Sequence, residues 1–249
     1  MLKFTDPAKQ AVWDTLIVKN GHFFEPRIVI NGVGYEKSDL ISVRSQMRVF
    51  AEDEPSVGSC LAGELEVQLL APSAEIPRMA SVEAFVRVSD GTTHSDWLPQ
   101  GKYWIDTRET SKDEGLPVLS IHCFDAMLKT EQMFPGSEGA WPKTDLTVVN
   151  QIATAIGVSV DDRTNEVMTH AYSISAPVDY TMREVLSYIA GMYAGNWIMT
   201  MEGKLLLVTL NGIPEETSLL VDEEGNIITF GIDPDTGEEL AISLVEPTV

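Results

Sequence analysis

A chain of 249 residues is longer than one typical domain and can bury a substantial core, so two domains or one domain with a sizeable insertion are expected. Its 38 acidic and 17 basic side chains leave a net charge of -21, which repels nucleic-acid phosphate and anionic membrane surfaces and disfavours simple DNA or RNA binding. A hydrophobic content of 44% with 22% charged residues is that of a folded protein and excludes general disorder.

The first ten residues, MLKFTDPAKQ, contain no uninterrupted apolar stretch, and no run of about 18 apolar residues occurs anywhere. Neither a secretion signal nor a membrane span is therefore expected, and the chain is expected to start out cytoplasmic and soluble. Phe23 to Ile30 leads into Asn31-Gly32, a strong hairpin signal, and the return begins at Val33. Strand-like runs follow at Leu40 to Phe50, Glu64 to Leu70, Ala80 to Val88, Lys102 to Thr107 and Val118 to Cys123. Turns are expected at Ser89-Asp90-Gly91 and Pro99-Gln100-Gly101. The pattern predicts an antiparallel barrel or sandwich for the first half.

The turn-rich Phe134-Pro135-Gly136-Ser137 marks a boundary, after which the periodicity changes. Leu146, Val149, Ile152, Ala153 and Ile156 share one helical face, with Thr144 or Asp145 near the cap and Gly157 at the stop. Asp161 to Thr169 is polar, and Tyr172 to Val178 reads as an irregular strand or a linker. Next comes YTMREVLSYIAGMYAGNWIMTMEGKLLLV, Tyr180 to Val208. Thr181 and Glu184 have capping-box spacing, Tyr180 and Val185 sit where a hydrophobic staple would, and Gly195 is the expected helix stop. Trp197 to Met201 and Lys204 to Val208 read as a hairpin turning at Glu202-Gly203. Beyond it lie β-like runs at Ser218 to Val221, Asn226 to Phe230 and Leu240 to Val245, in a segment that is acidic and carries no Lys or Arg.

Chemistry-bearing patterns are sparse. His22, His94, His122 and His170 have no metal-ligand spacing, and Cys60 and Cys123 lack the C-x-x-C arrangement and sit in apolar company, which points to buried thiols. Gly58-Ser59-Cys60 is not a G-x-S-x-G elbow, and Asn31-Gly32-Val33-Gly34 is not a phosphate loop. Asp233-Pro234-Asp235-Thr236-Gly237-Glu238-Glu239 departs from a calcium loop in spacing and reads equally as an acidic turn. No catalytic, cofactor-binding or metal residue is selected, and no enzyme activity is expected.

Two segments resemble a known family. RMASVEAFVRVSDGTTHSDWLPQGKYWIDTRETSKDEGLPVLSIHCFDAMLKTEQMF, Arg78 to Phe134, has the order of a strand, a Ser-Asp-Trp-Leu turn, a Gly-Lys-Tyr-Trp-Ile-Asp strand and a Phe-Asp-Ala-Met-Leu-Lys stretch. This order is similar to that of baseplate-hub, or distal tail, proteins of bacteriophages and prophages, and Thr181 to Val208 is similar to the helix and hairpin that follow in them. The resemblance implies a mixed, β-rich α+β chain: an antiparallel tail-tube-like β-barrel over 1–135 and an α/β domain with the helix–hairpin unit over 136–210. Residues 211–249 would complete the first barrel or start another.

By the same resemblance the chain is a structural part of a virion tail, a homotrimeric ring joining the tail tube to fibres or a puncturing device. The helix–hairpin unit would then be a peripheral packing module between neighbours, and an acidic channel wall would let DNA pass without sticking. Sequence-specific nucleic-acid binding and membrane insertion are not expected. The alternatives are a carbohydrate-binding module using exposed Trp97, Trp104 or Trp141 and, behind it, a cell-wall hydrolase.

Overall fold

The computed structural model describes residues 4, 6–50, 55–72, 75–113, 116–136 and 139–210, and the backbone of 218–219, 229–232, 239–241 and 243–244. A helix absent from the periodicity comes first. Asp6 accepts the Ala8 amide at 2.9 Å and Pro7 occupies the first turn, starting α1, Pro7–Ile17. Trp13 and Leu16 bury themselves against Val88 and Leu98.

Seven strands then build one antiparallel sheet: β1 (Phe23–Ile30), β2 (Val33–Tyr35), β3 (Leu40–Gln46), β4 (Glu64–Leu70), β5 (Ser81–Ser89), β6 (Leu98–Asp113) and β7 (Leu116–Asp125). Their order is β2-β1-β5-β6-β7-β4-β3. Asn31 and Gly32 both take positive φ, 48° and 84°, as a tight hairpin turn between β1 and β2 requires. Pro99-Gln100-Gly101 is not a turn. These residues lie inside β6, where the register with β5 slips between Ala84 and Phe85. Gly101, at φ 135°, fits there because a side chain would strike the Tyr103 ring.

Connection length determines the shape. β2 and β3 are opposite edges of the sheet, yet only residues 36–39 join them, and the Leu40 and Asp39 amides both bond back to the Glu36 carbonyl. Five Cα steps reach at most about 18 Å, whereas a flat seven-stranded sheet separates its edges by about 29 Å. The sheet therefore curls. Ile28, Ile30, Leu65, Val67, Val82 and Ile121 fill its concave side. The curl stops short of a closed barrel: β2 and β3 share no ladder, and the sheet stays open.

A second core lies beyond the sheet. It gathers Val148, Val149, Ile152 and Ile156 of α2 (Asp145–Ile156) with Val185, Leu186 and Ile189 of α4 (Met182–Met192). Cys60, Ala126, Met127 and Phe134 join it from earlier in the chain. Thr144 caps α2, and Gly157 ends it at φ 78°. The polar stretch after Val160 contains a short helix, α3 (Asp162–Val167), capped by Asp161. Lys143–Thr144 (β8) pairs with Ser173–Ile174 (β9). The Thr181–Glu184 capping box is formed in both directions, at 2.7 and 3.2 Å.

The hairpin after α4 pairs β10 (Gly195–Met199) with β11 (Leu205–Thr209). It turns through three residues, Met201 to Gly203, rather than two, with Gly203 at φ 77° and the Thr200 amide bonded to the Lys204 carbonyl. Gly195 is not the helix stop either. Ala194 takes the left-handed conformation, φ 49°, and Gly195 opens β10, where a Cβ would meet the Val208 carbonyl oxygen at 2.6 Å.

The hairpin is also not a free module. Cys60 bridges to Trp197 in parallel on one side, with Trp197 N–H donating to Ser59 C=O at 2.9 Å, and Val160 bridges to Leu205 in parallel on the other. Trp197 is fully buried, and its indole N–H donates to the Leu186 carbonyl at 2.8 Å. Every residue of β10 is buried. Of the last segment, Ser218–Leu219 pairs with Ser243–Leu244, and Thr229–Ile232 with Glu239–Ala241.

Because the Gly195 contact is with backbone on a strand held from both sides, Gly195→Ala is expected to cost about 1–3 kcal/mol in chemical denaturation. Gly191→Ala, at an exposed position of α4 with open space around it and no positive φ, serves as the comparison and is expected to lose less.

Candidate functional site

Among the described residues, the curl leaves a seam whose strand edges are not paired with each other. From Phe23 to Arg27, β1 is bonded on its β5 side only, since β2 covers just Ile28 to Ile30. β3 is likewise bonded on one side only, to β4. Pro26, which has no N–H to donate, fits such a one-sided strand. Between the two edges runs a groove of ≈ 700 Å3 lined by Trp13, Phe24, Pro26, Leu40, Val43 and Leu65. At the seam Phe24 is 52% exposed and Ile41 47%. Isolated apolar residues on a surface are ordinary, but apolar residues clustered between two unpaired strand edges mark a place where another chain can add on.

The convex face of the sheet is different. Its side chains form cross-strand pairs of opposite charge, Glu25 with Arg87 at 2.6 Å, Glu83 with Lys102 at 3.8 Å and Arg44 in register with Glu66, and Glu64 lies 3.4 Å from the His122 ring. This face is charge-balanced rather than acidic. The three tryptophans considered for sugar are half-buried, and each has a cation over its ring: Arg87 at 4.4 Å from Trp97, Lys129 at 3.6 Å from Trp104, and Lys143 at 4.5 Å from Trp141. A sugar stacking on those faces has to displace the cation.

The histidines are scattered among local partners. His22 contacts the Lys19 carbonyl, His94 contacts Glu25, His122 contacts Glu64, and His170 stacks on Tyr193. Among the described residues no three His, Cys, Asp or Glu side chains converge as metal ligands. Both thiols are free and buried, and burial pushes Cys60 up to about 11 and Cys123 to about 12, away from nucleophilic activation. Ser59 donates its hydroxyl to Asn196 Oδ1 at 2.7 Å. The Asp233–Glu239 turn lies largely outside the described residues.

The carboxyl groups of Asp145 and Asp125 are buried, which the sequence does not show. Asp145, fully buried at the start of α2, accepts the Leu146 amide on Oδ1 and the Tyr193 hydroxyl on Oδ2. Burial and this bond together raise the Tyr193 phenol above its ordinary range. Asp125 lies where β7 leaves the sheet. Each has one local donor, Leu146 or Met127, and one, Tyr193 or Gly63, from a distant part of the chain that spacing does not reveal.

No protein-family model matches the chain. No curated protein matches it either. Among solved structures, the 43 kDa tail protein of prophage MuSo2 from Shewanella oneidensis aligns over 74% of this chain and 53% of its own, with TM-score 0.53 and 14% identity. The tail protein from Neisseria meningitidis MC58 aligns over 82% of this chain and 58% of its own, with TM-score 0.52 and 14% identity. The chain thus spans a little over half the length of either, and its fold is shared with these two tail proteins.

Tyr193→Phe leaves one buried oxygen of Asp145 without its partner, and is expected to destabilise the fold by about 1–3 kcal/mol in thermal or chemical denaturation.

Proposed function

We propose that this chain is a non-enzymatic structural component of a phage or prophage tail. It sits at the hub or tail tip, where three copies close a ring joining the tail tube to the distal apparatus. Its partners in this reading are the tube, distal tail, fibre or puncturing-device proteins, and its final location is the virion tail.

The observation that carries the reading is the seam. A curled sheet with unpaired edges on β1 and β3 and an apolar groove between them is incomplete alone, and edge-to-edge addition of a second copy satisfies both backbone and groove. Along these edges the concave side carries Phe24 and Pro26 on β1 and Val43 and Ser45 on β3, and the convex side carries Glu25 and Arg27 on β1 and Arg44 and Gln46 on β3. The fold shared with the two tail proteins supports the setting. An acidic wall facing DNA belongs to the same reading, and since the convex sheet face is charge-balanced, the acidic side chains of that wall have to come from other parts of the chain.

Light scattering across a wide concentration range tests the ring. The wild-type chain is expected to reach a trimer, and Ile41→Lys, which places an ammonium in the seam, is expected to weaken assembly at least about tenfold. A strict monomer at every concentration, with or without tail-tube protein as template, would contradict the ring.

A further inference from the structure

α4 closes the second core with Val185, Leu186 and Ile189, all buried. Its outer side is not finished with charged residues, as a solvated helix face usually is. Tyr188 is 63% exposed, and Met192, one turn later on the same stripe, 40%. Tyr180, 42% exposed, sets its ring edge-on to that of Tyr188 with centroids 5.8 Å apart, and Met133, 56% exposed, is bridged to Thr181 beside it. Gly191 leaves a notch next to Tyr188 and Met192, with nothing within 4 Å of the place a Cβ would take. Single exposed apolar side chains are ordinary, but a continuous strip of Tyr and Met has the composition of an interface.

The charges that border the strip are of one sign. Glu184 lies one turn before Tyr188, and Asp179 stands immediately before Tyr180, both exposed. The Thr181 amide and hydroxyl hold the Glu184 carboxyl below its ordinary range, so it stays ionised. Arg183, the one cation of α4, is taken by Glu131 at 2.9 Å. A negative border around an apolar centre selects against a second copy of a chain whose net charge is -21, and for a partner with basic residues at the matching positions. A helical ridge with a notch beside it receives the side chains of another helix laid along it.

We propose that the outer face of α4 is a docking surface for an amphipathic helix of a different protein, apolar toward Tyr188 and Met192 and carrying Lys or Arg along its border. The face belongs to the second core and is separate from the seam of the sheet, so the inference does not rest on the tail reading and stands or falls by itself.

A synthetic Leu/Lys amphipathic helix of about 18 residues is the probe, and a Leu/Glu helix of the same pattern is its control. Titrated into the full chain, the Leu/Lys peptide is expected to shift the methyl resonances of Met133 and Met192 before those of other methionines, and the Leu/Glu peptide to leave them in place. Tyr188→Arg is expected to weaken binding at least about tenfold. Glu184→Gln, which keeps the helix cap but removes the charge, is expected to weaken it about threefold. No binding of the Leu/Lys peptide, binding that leaves Met133 and Met192 unmoved, or an affinity that either substitution leaves unchanged overturns the inference. Methyl shifts at these two residues that follow protein concentration without peptide identify the occupant as a second copy and overturn it as well.

Discussion

The four residues between Tyr35 and Leu40 constrain more of this molecule than any other segment of their length. They tie together the two strands that hydrogen bonding places farthest apart in the sheet, and the chain cannot span a flat sheet in that distance. Curling follows, and with it the division of the sheet into two unlike faces. The concave side turns inward on Ile28, Leu65, Val82 and Ile121, while the convex side carries paired charges in water. Because the link is a turn and not a further strand, it draws the edges together without bonding them. The seam is the residue of that geometry.

The second core depends on the sheet in a different way. Its central hairpin has β10 lying beside Ser59–Leu61 and β11 beside Ser159–Asp161, so no long unpaired edge remains there. That distribution matters for assembly. The hairpin of the α/β part is flanked on both sides by the chain itself, whereas the open edges of the sheet are bonded on one side only. Lys129 adds a strap between the parts, lying over Trp104 of β6 and donating to the Ile156 carbonyl at the end of α2 at 3.2 Å. Burial and the neighbouring Lys102 hold its ammonium below the usual lysine range.

Much of this was legible in the sequence where the signal is local. Alternation placed β4 at Glu64–Leu70 without error, Asn31-Gly32 gave its hairpin, and Thr181 with Glu184 gave both halves of the capping box. The misreadings share a cause. Gly195 looks like a helix stop, and the reason a glycine stands there, the Val208 carbonyl, is thirteen residues away across a strand pair. Pro99-Gln100-Gly101 looks like a turn, but β5 runs alongside and absorbs it as a bulge. α1 gives little periodic signal because its apolar side is narrow, Trp13 and Leu16 alone being buried, although Asp6-Pro7 is a fair helix start. An open sheet instead of a closed barrel, and the placement of the hairpin at the centre rather than the periphery, are facts of long-range pairing that periodicity does not encode. Asp125 and Asp145 belong to the same class: a buried carboxylate is recognised by its donors, and Gly63 and Tyr193 are far from them in the chain.

A seam built from unpaired backbone and apolar side chains gives the proposed ring a specific location on the molecule. The most direct measurement is hydrogen exchange of the β3 amides, Leu40 to Gln46, followed as the protein concentration is raised while mass is monitored in parallel. If the seam is the surface on which the next copy adds, protection of the outward-facing β3 amides rises in step with mass, and β1 from Phe23 to Arg27 follows. If mass rises while both edges keep exchanging at the monomer's rate, assembly uses another surface and the account of the seam is wrong.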